Sequence, residues 1–168
     1  MSGALRRLLV ENLQPAPGKR GWHGGPTPVG ALRGVSAEAA WWSPGPKRRS
    51  IWALTLHLAY WKYAVRRRLT GEVGPRFVRA PANWPMVPDR ADPDRWAADV
   101  ALLRAEHRRL LEAVAAVPLD RLGDRPAGGR SWTYGELILG IAQHDAYHTG
   151  QIQLLKRLWL ERGHGGRR

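Results

Sequence analysis

The sequence predicts an all-α fold, a four-helix bundle with long connecting loops. Three observations carry that expectation. Four stretches repeat apolar residues at helical spacing, no stretch alternates as a half-buried strand does, and good helix caps bracket the strongest repeats. A chain of 168 residues suffices for one real core and is short for two, so a single domain over 1–168 is expected.

The first stretch runs from Ser2 to about Asn12, where Leu5, Leu8, Leu9 and Leu13 recur before Pro15 ends the pattern. A Gly/Pro-rich segment, "PAPGKRGWHGGPTP", follows it. Pro28 to about Gly34 and Ser36 to Ala40 read as short helical turns, closed by "WWSPGP". The second long helix has Ser50 as N-cap and the stripe Ile51, Leu54, Leu58, Trp61, Val65 and Leu69, with Gly71 just past its end. Asp92 and Pro93 open the third, whose stripe is Trp96, Val100, Leu103, His107, Leu110, Val114 and Val117 before Pro118. Thr133 and Glu136 form a capping box for the fourth, with stripe Leu137, Ile141, His144, His148, Ile152, Leu155 and Trp159. Between the second and third helices lie about twenty residues, Glu72 to Ala91, with no pattern of their own. Loops that long in a compact domain often serve as lids, and this one is expected to wall a pocket.

Composition narrows the chemistry. No cysteine is present, which excludes disulfides and thiolate ligands, so any transition-metal site must use histidine and carboxylate. No apolar run is long enough for a membrane span, and the N-terminal stretch lacks the pattern of a secretory signal, so a cytoplasmic protein is expected. The formal net charge of +13 invites a nucleic-acid partner. Its cations are scattered along predicted solvated faces rather than gathered into a stripe, so no specific nucleic-acid binding is expected.

The histidines raise the sharper question. His144 and His148 stand four residues apart on the inward stripe of the last helix, where Cβ atoms lie roughly 5–6 Å apart. Two imidazoles can converge on one ion from there, at about 2.0–2.1 Å each. Buried without partners they would cost on the order of 1–3 kcal/mol apiece. The plain alternative is a pair of core histidines bonded to backbone or water. His57 shifts the balance, because it flanks the inward stripe of the second helix. Three histidines from two inward faces form a tripod with open positions, the arrangement of a catalytic metal site rather than a closed structural one.

The stretches "SIWALTLHLAYWKYAVRRRLTG" and "HDAYHTGQIQLLKR" together resemble the DinB-like (DinB/YfiT) superfamily. "WHGGPTPVGALRGVSAEAAW" and "RFVRAPANWP" extend the resemblance over nearly the whole chain. It implies a four-helix bundle with a three-histidine divalent-metal site, occupied in the family by nickel or zinc and sometimes iron or manganese. By motif position the ligands are His57, His144 and His148.

The remaining candidates are read from their positions. His107 is a core histidine on the third stripe, with a fourth ligand or a pocket base as alternatives. His23 lies in a Gly-rich segment, and His164 in a tail where no role is expected. Asp145 is expected to touch a histidine N–H from behind the ligands, or else to be a solvated or interhelical carboxylate. Gln151 and Tyr147 are pocket candidates, whereas Trp61, Trp84 and Trp132 are expected to pack.

An enzyme is the leading expectation. By analogy with thiol-dependent relatives, it would transfer a low-molecular-weight thiol to a small electrophile. Hydrolysis by metal-activated water is the second reading, and the lack of a glutamate base beside the histidines argues against the zincin form of it. A non-enzymatic metal or small-ligand binder, its ion saturated by His107, is the third. The expected partners are thus a small-molecule substrate, with a homodimer left open and no membrane.

Overall fold

The computed structural model describes residues 2–21, 23–127 and 131–162. Its helices are α1 (Ser2–Leu13), α2 (Pro28–Ala31), α3 (Ala37–Trp41), α4 (Ile51–Thr70), α5 (Pro93–Ala116) and α6 (Tyr134–Glu161), with a 3₁₀ turn at Leu119–Arg121. No strand occurs among the described residues, and four helices are long: the fold is an all-helical bundle. None of those helices is long and apolar enough to cross a membrane.

The ends form where the sequence places them, for local reasons. The Ser50 hydroxyl accepts from the Ala53 amide, and Gly71 closes α4 at φ 68°, a conformation that side chains resist. Asp92 accepts from the Arg95 amide ahead of Pro93. At α6 both halves of the capping box are made, Thr133 accepting from the Glu136 amide and Glu136 from the Thr133 amide. α2 is shorter than the sequence suggests, and α3 keeps the expected length but lies one residue later. Thr27 caps α2 and Ser36 caps α3, so Ser36 stands outside its helix, and the backbone turns left-handed at Gly34 between them.

α4 and α6 bury more than one stripe each. α6 buries Ile138, Ala142, Asp145 and Thr149 beside its expected positions, because it packs on α4 along one side and on α1 and α2 along another. α4 is covered by α3, α5 and α6, and buries Thr55, His57, Lys62 and Arg66 among its apolar residues. The core falls into two clusters. One gathers Ile51, Trp52, Leu54, Leu58, Trp96, Leu103 and Ile152. The other gathers Leu9, Leu13, Val65, Leu69, Leu110, Val114 and Ile141. A fully buried aliphatic side chain is worth about 1.5–3 kcal/mol, so both clusters matter to the fold. Lys62 on α4, Glu106 and His107 on α5, and His144, Asp145, His148 and Thr149 on α6 fall between them. A polar layer therefore crosses the bundle at mid-height.

The segment after Gly71 has no regular structure but is anchored. Phe77, Trp84 and Val87 pack against the first cluster. Arg79 bonds the buried Asp99 at 2.8 Å, and Asp99 in turn accepts from Trp52 Nε1 at 2.8 Å. Trp41 Nε1 donates to the Pro88 carbonyl at 3.0 Å.

Candidate metal centre

α4 and α6 run side by side and bring His57, His144 and His148 together. One ring nitrogen from each lies within 4.8 Å of the other two, and this group of three could hold a metal ion. His57 and His148 are buried and His144 is half-buried. The Nε2 atoms of His57 and His144 face each other at 3.1 Å.

What lies behind the rings fixes which nitrogen is free. His57 Nδ1 donates to the Asn83 carbonyl at 2.6 Å. A carbonyl can only accept, so the proton sits on Nδ1 and the Nε2 lone pair points inward. His148 Nδ1 donates to Gln151 Oε1 at 2.7 Å, leaving its own Nε2 free in the same way. Metal-binding histidines are generally oriented by such acceptors. His144 Nδ1 is buried with no hydrogen-bond partner.

The electrostatics match. Burial lowers the His57 pKa to about 4, with His148 and Arg49 adding to the effect against the Asn83 carbonyl. Burial lowers that of His144 to about 3, helped by His148, His57 and Lys62. Both rings are neutral at physiological pH, the form that binds a metal. Neutral His57 and His144 rings, with the His57 and His148 rings held from behind by acceptors, make a donor set that fits a divalent cation.

The loop completes the wall. Trp84 stacks on His57 with ring centroids 3.8 Å apart and planes 10° from parallel. The Arg49 guanidinium lies over the Trp84 ring, 4.3 Å from its centroid. Trp61 Nε1 donates to the Asn83 side chain at 2.8 Å, and its ring lies 5.9 Å from that of His144. Trp61 and Trp84 were expected merely to pack; both border the histidines. Beyond His144 opens a groove of about 510 Å³, bordered by Trp61, Arg68, Trp132 and Gln143.

Asp145 corrects an expectation. It contacts no histidine N–H; it is ion-paired with Lys62, both side chains being buried. Successive helix residues diverge by about 100°, which turns Asp145 away from the tripod. Burial pushes its carboxyl above the usual range while the Lys62 ammonium pulls the other way. Lys62 stands between Leu58 and Val65 on the inward stripe of α4, a cation at a position whose neighbours on that face are apolar. His107 is buried, its Nε2 paired with Gln14 Oε1 at 3.2 Å, and is not one of the group of three. His23 accepts from the Gly25 amide and lines a separate cavity of about 220 Å³. Gln151 orients His148, and Tyr147 is exposed with its ring 4.9 Å from that of His148. His164 lies outside the described residues.

No curated protein and no solved structure matches the chain. A family model does, that of the DinB superfamily, over residues 29–152. The matched span runs from α2 well into α6 and contains His57, His144, His148 and the whole loop that covers them. The chain belongs to the DinB superfamily.

Proposed function

We propose that this protein is a metal-dependent enzyme that holds one divalent cation on His57, His144 and His148 and transfers a low-molecular-weight thiol to a small electrophile. The observation that carries the reading is the convergence of three ring nitrogens within 4.8 Å, two of them fixed by acceptors behind the rings. A divalent ion bound there supplies Lewis acidity, which ionises a thiol or water near neutral pH. Imidazole donors suit zinc, nickel and iron, and manganese joins them by analogy with relatives.

The chain's own residues supply orientation and shelter. Asn83 and Gln151 hold the tautomers of His57 and His148. Trp84 seals one face of His57 against water, while His144 borders the groove through which a substrate can approach. Thiol transfer is preferred to zincin-type hydrolysis, in which a carboxylate beside the ligands serves as general base. Asp145, which follows His144 in the chain, is paired with Lys62, and the groove's Glu136 accepts from the Thr133 amide.

Metal analysis of the purified protein, followed by a screen of small thiols against soluble electrophiles, tests this. The expected result is about one divalent ion per chain and thiol consumption that stops on chelation. Ester or amide cleavage without thiol would replace transfer by hydrolysis, and a chain that takes up no divalent metal would end both readings.

A further inference from the structure

The groove beside His144 carries one feature that metal binding does not use. Its floor is the Trp61 indole, held in place by the Asn83 side chain. On one side of that indole lies the His144 ring at 5.9 Å, and on another the Arg68 guanidinium at 5.7 Å. A cation and a candidate metal ligand thus flank the same aromatic ring.

Arg68 differs from its neighbours. Arg66 is paired with Glu72 and Glu106. Arg67 donates to the Glu72 carbonyl at 3.0 Å and to the Tyr63 hydroxyl at 2.7 Å. Arg68 has no carboxylate partner among the ion pairs of the described residues, and the groove's own acid, Glu136, is bound to the Thr133 amide. The rim is apolar and uncovered, with Trp132 60% and Leu139 48% exposed. A planar guanidinium with free N–H groups binds a carboxylate through two parallel hydrogen bonds. Indole faces with aliphatic neighbours take up a flat or apolar body.

We propose that this groove binds a small carboxylate with an apolar or aromatic body, its acid group held by Arg68 and its body lying between Trp61 and Trp132. The proposal deepens the enzyme reading and rests on it for one step only, that the molecule so held is the electrophile presented to the metal. Arg68 sets which substrates enter; it is not a metal ligand.

The test uses 3-phenylpropionate and its neutral amide, titrated calorimetrically into the full chain at low salt. Because a carboxylate can also ligate a metal, the comparison is made on chelator-treated protein and repeated with zinc. On metal-free wild type the acid should bind about tenfold more tightly than the amide, a preference that weakens as salt rises. Arg68→Ala should bring the acid to the affinity of the amide and leave the amide unchanged, whereas Arg68→Lys should keep part of the preference. Equal binding of acid and amide by wild type, or a preference that survives Arg68→Ala, overturns the proposal. Zinc stoichiometry is measured on the same samples. Wild type that takes up no zinc but shows the Arg68-dependent preference ends the enzyme reading and leaves the anion site standing. Zinc uptake without that preference ends the anion site alone. Circular dichroism and unchanged zinc uptake by Arg68→Ala show that the exposed substitution has left the bundle intact.

Discussion

His144 and Asp145 are neighbours in the chain and meet opposite fates. Asp145 turns into the bundle, where its charge is answered by Lys62, and the pair is closed off from solvent. His144 turns toward His57 and His148, where ring nitrogens of all three gather within 4.8 Å. Both belong to one polar layer between two apolar clusters. The difference teaches how to tell structural polarity from functional polarity. A charge answered by an opposite charge within the chain serves the fold, whereas ring nitrogens that converge from two helices form a site that could hold an ion.

Removing one member of the closed pair should break the molecule. Lys62 has no exposed surface, so Lys62→Met leaves an unpaired buried carboxylate. The expected loss is about 3–5 kcal/mol, while Lys62→Met with Asp145→Leu should recover most of it. Urea unfolding of the two variants measures this, and a single substitution that costs no more than the double one would show that the pair is not what holds the layer together.

Removing one member of the open cluster should spare the fold and empty the site. His148→Ala is expected to retain α-helical content and bind far less than one divalent ion per chain. His23→Ala, outside the group of three, should bind as wild type does. Stoichiometric metal on His148→Ala would refute the tripod. Metal should also raise the melting temperature of wild type and of His23→Ala but not of His148→Ala, since a ligand at a hundred times its Kd adds about 2.7 kcal/mol.

Much of this comparison was legible before the structure, and the limits of legibility are physical. Helix existence, caps and the inward direction of His144 and His148 follow from periodicity and local hydrogen bonding, which the chain carries within a few residues. The role of Asp145 did not follow, because its partner stands on another helix and only the packing of α4 on α6 brings them together. Lys62 was readable in principle, as a cation on an apolar stripe. The Asn83 contact was not, since it is made by a backbone carbonyl in a segment with no periodicity. The stacking of Trp84 was hidden for the same reason: proline and tryptophan content shows that a loop needs a surface to cover, but not which one.

His107 offers a sharper test, since it is buried like the tripod but has an in-chain partner, Gln14. Burial lowers its pKa from 6.5 to about 3, with Lys62 contributing. The folded chain therefore binds fewer protons than the unfolded chain at intermediate pH. Stability contributed by the neutral ring is full above the unfolded value, declines as pH falls below it, and stops changing below about 3. Between about pH 7 and pH 5 the metal-free wild type should lose on the order of 1–2 kcal/mol through this residue, and His107→Gln should lose correspondingly less. Equal slopes for the two proteins would mean that His107 is freer to take a proton than its burial implies.

The smallest effects belong to the groups that orient the tripod without entering it. Gln151→Ala removes the acceptor of His148 Nδ1–H, and Trp84→Ala uncovers one face of His57. The two should differ. Loss of an orienting acceptor commonly weakens metal binding by about 10–100-fold, because it frees the ring to turn and lowers its basicity. Trp84 makes no hydrogen bond to His57, and the Asn83 carbonyl still holds the ring when the indole is gone. Trp84→Ala should therefore weaken metal binding by only a few-fold, while admitting water to the face that the indole covered and speeding metal exchange. Competition with a chromophoric chelator gives the affinities, and stopped-flow chelation gives the exchange rates. A Trp84→Ala protein that binds as weakly as Gln151→Ala would show that the loop positions His57 through the indole as well as through the carbonyl. One with wild-type affinity and wild-type exchange would reduce the loop from a wall of the site to a connection between α4 and α5.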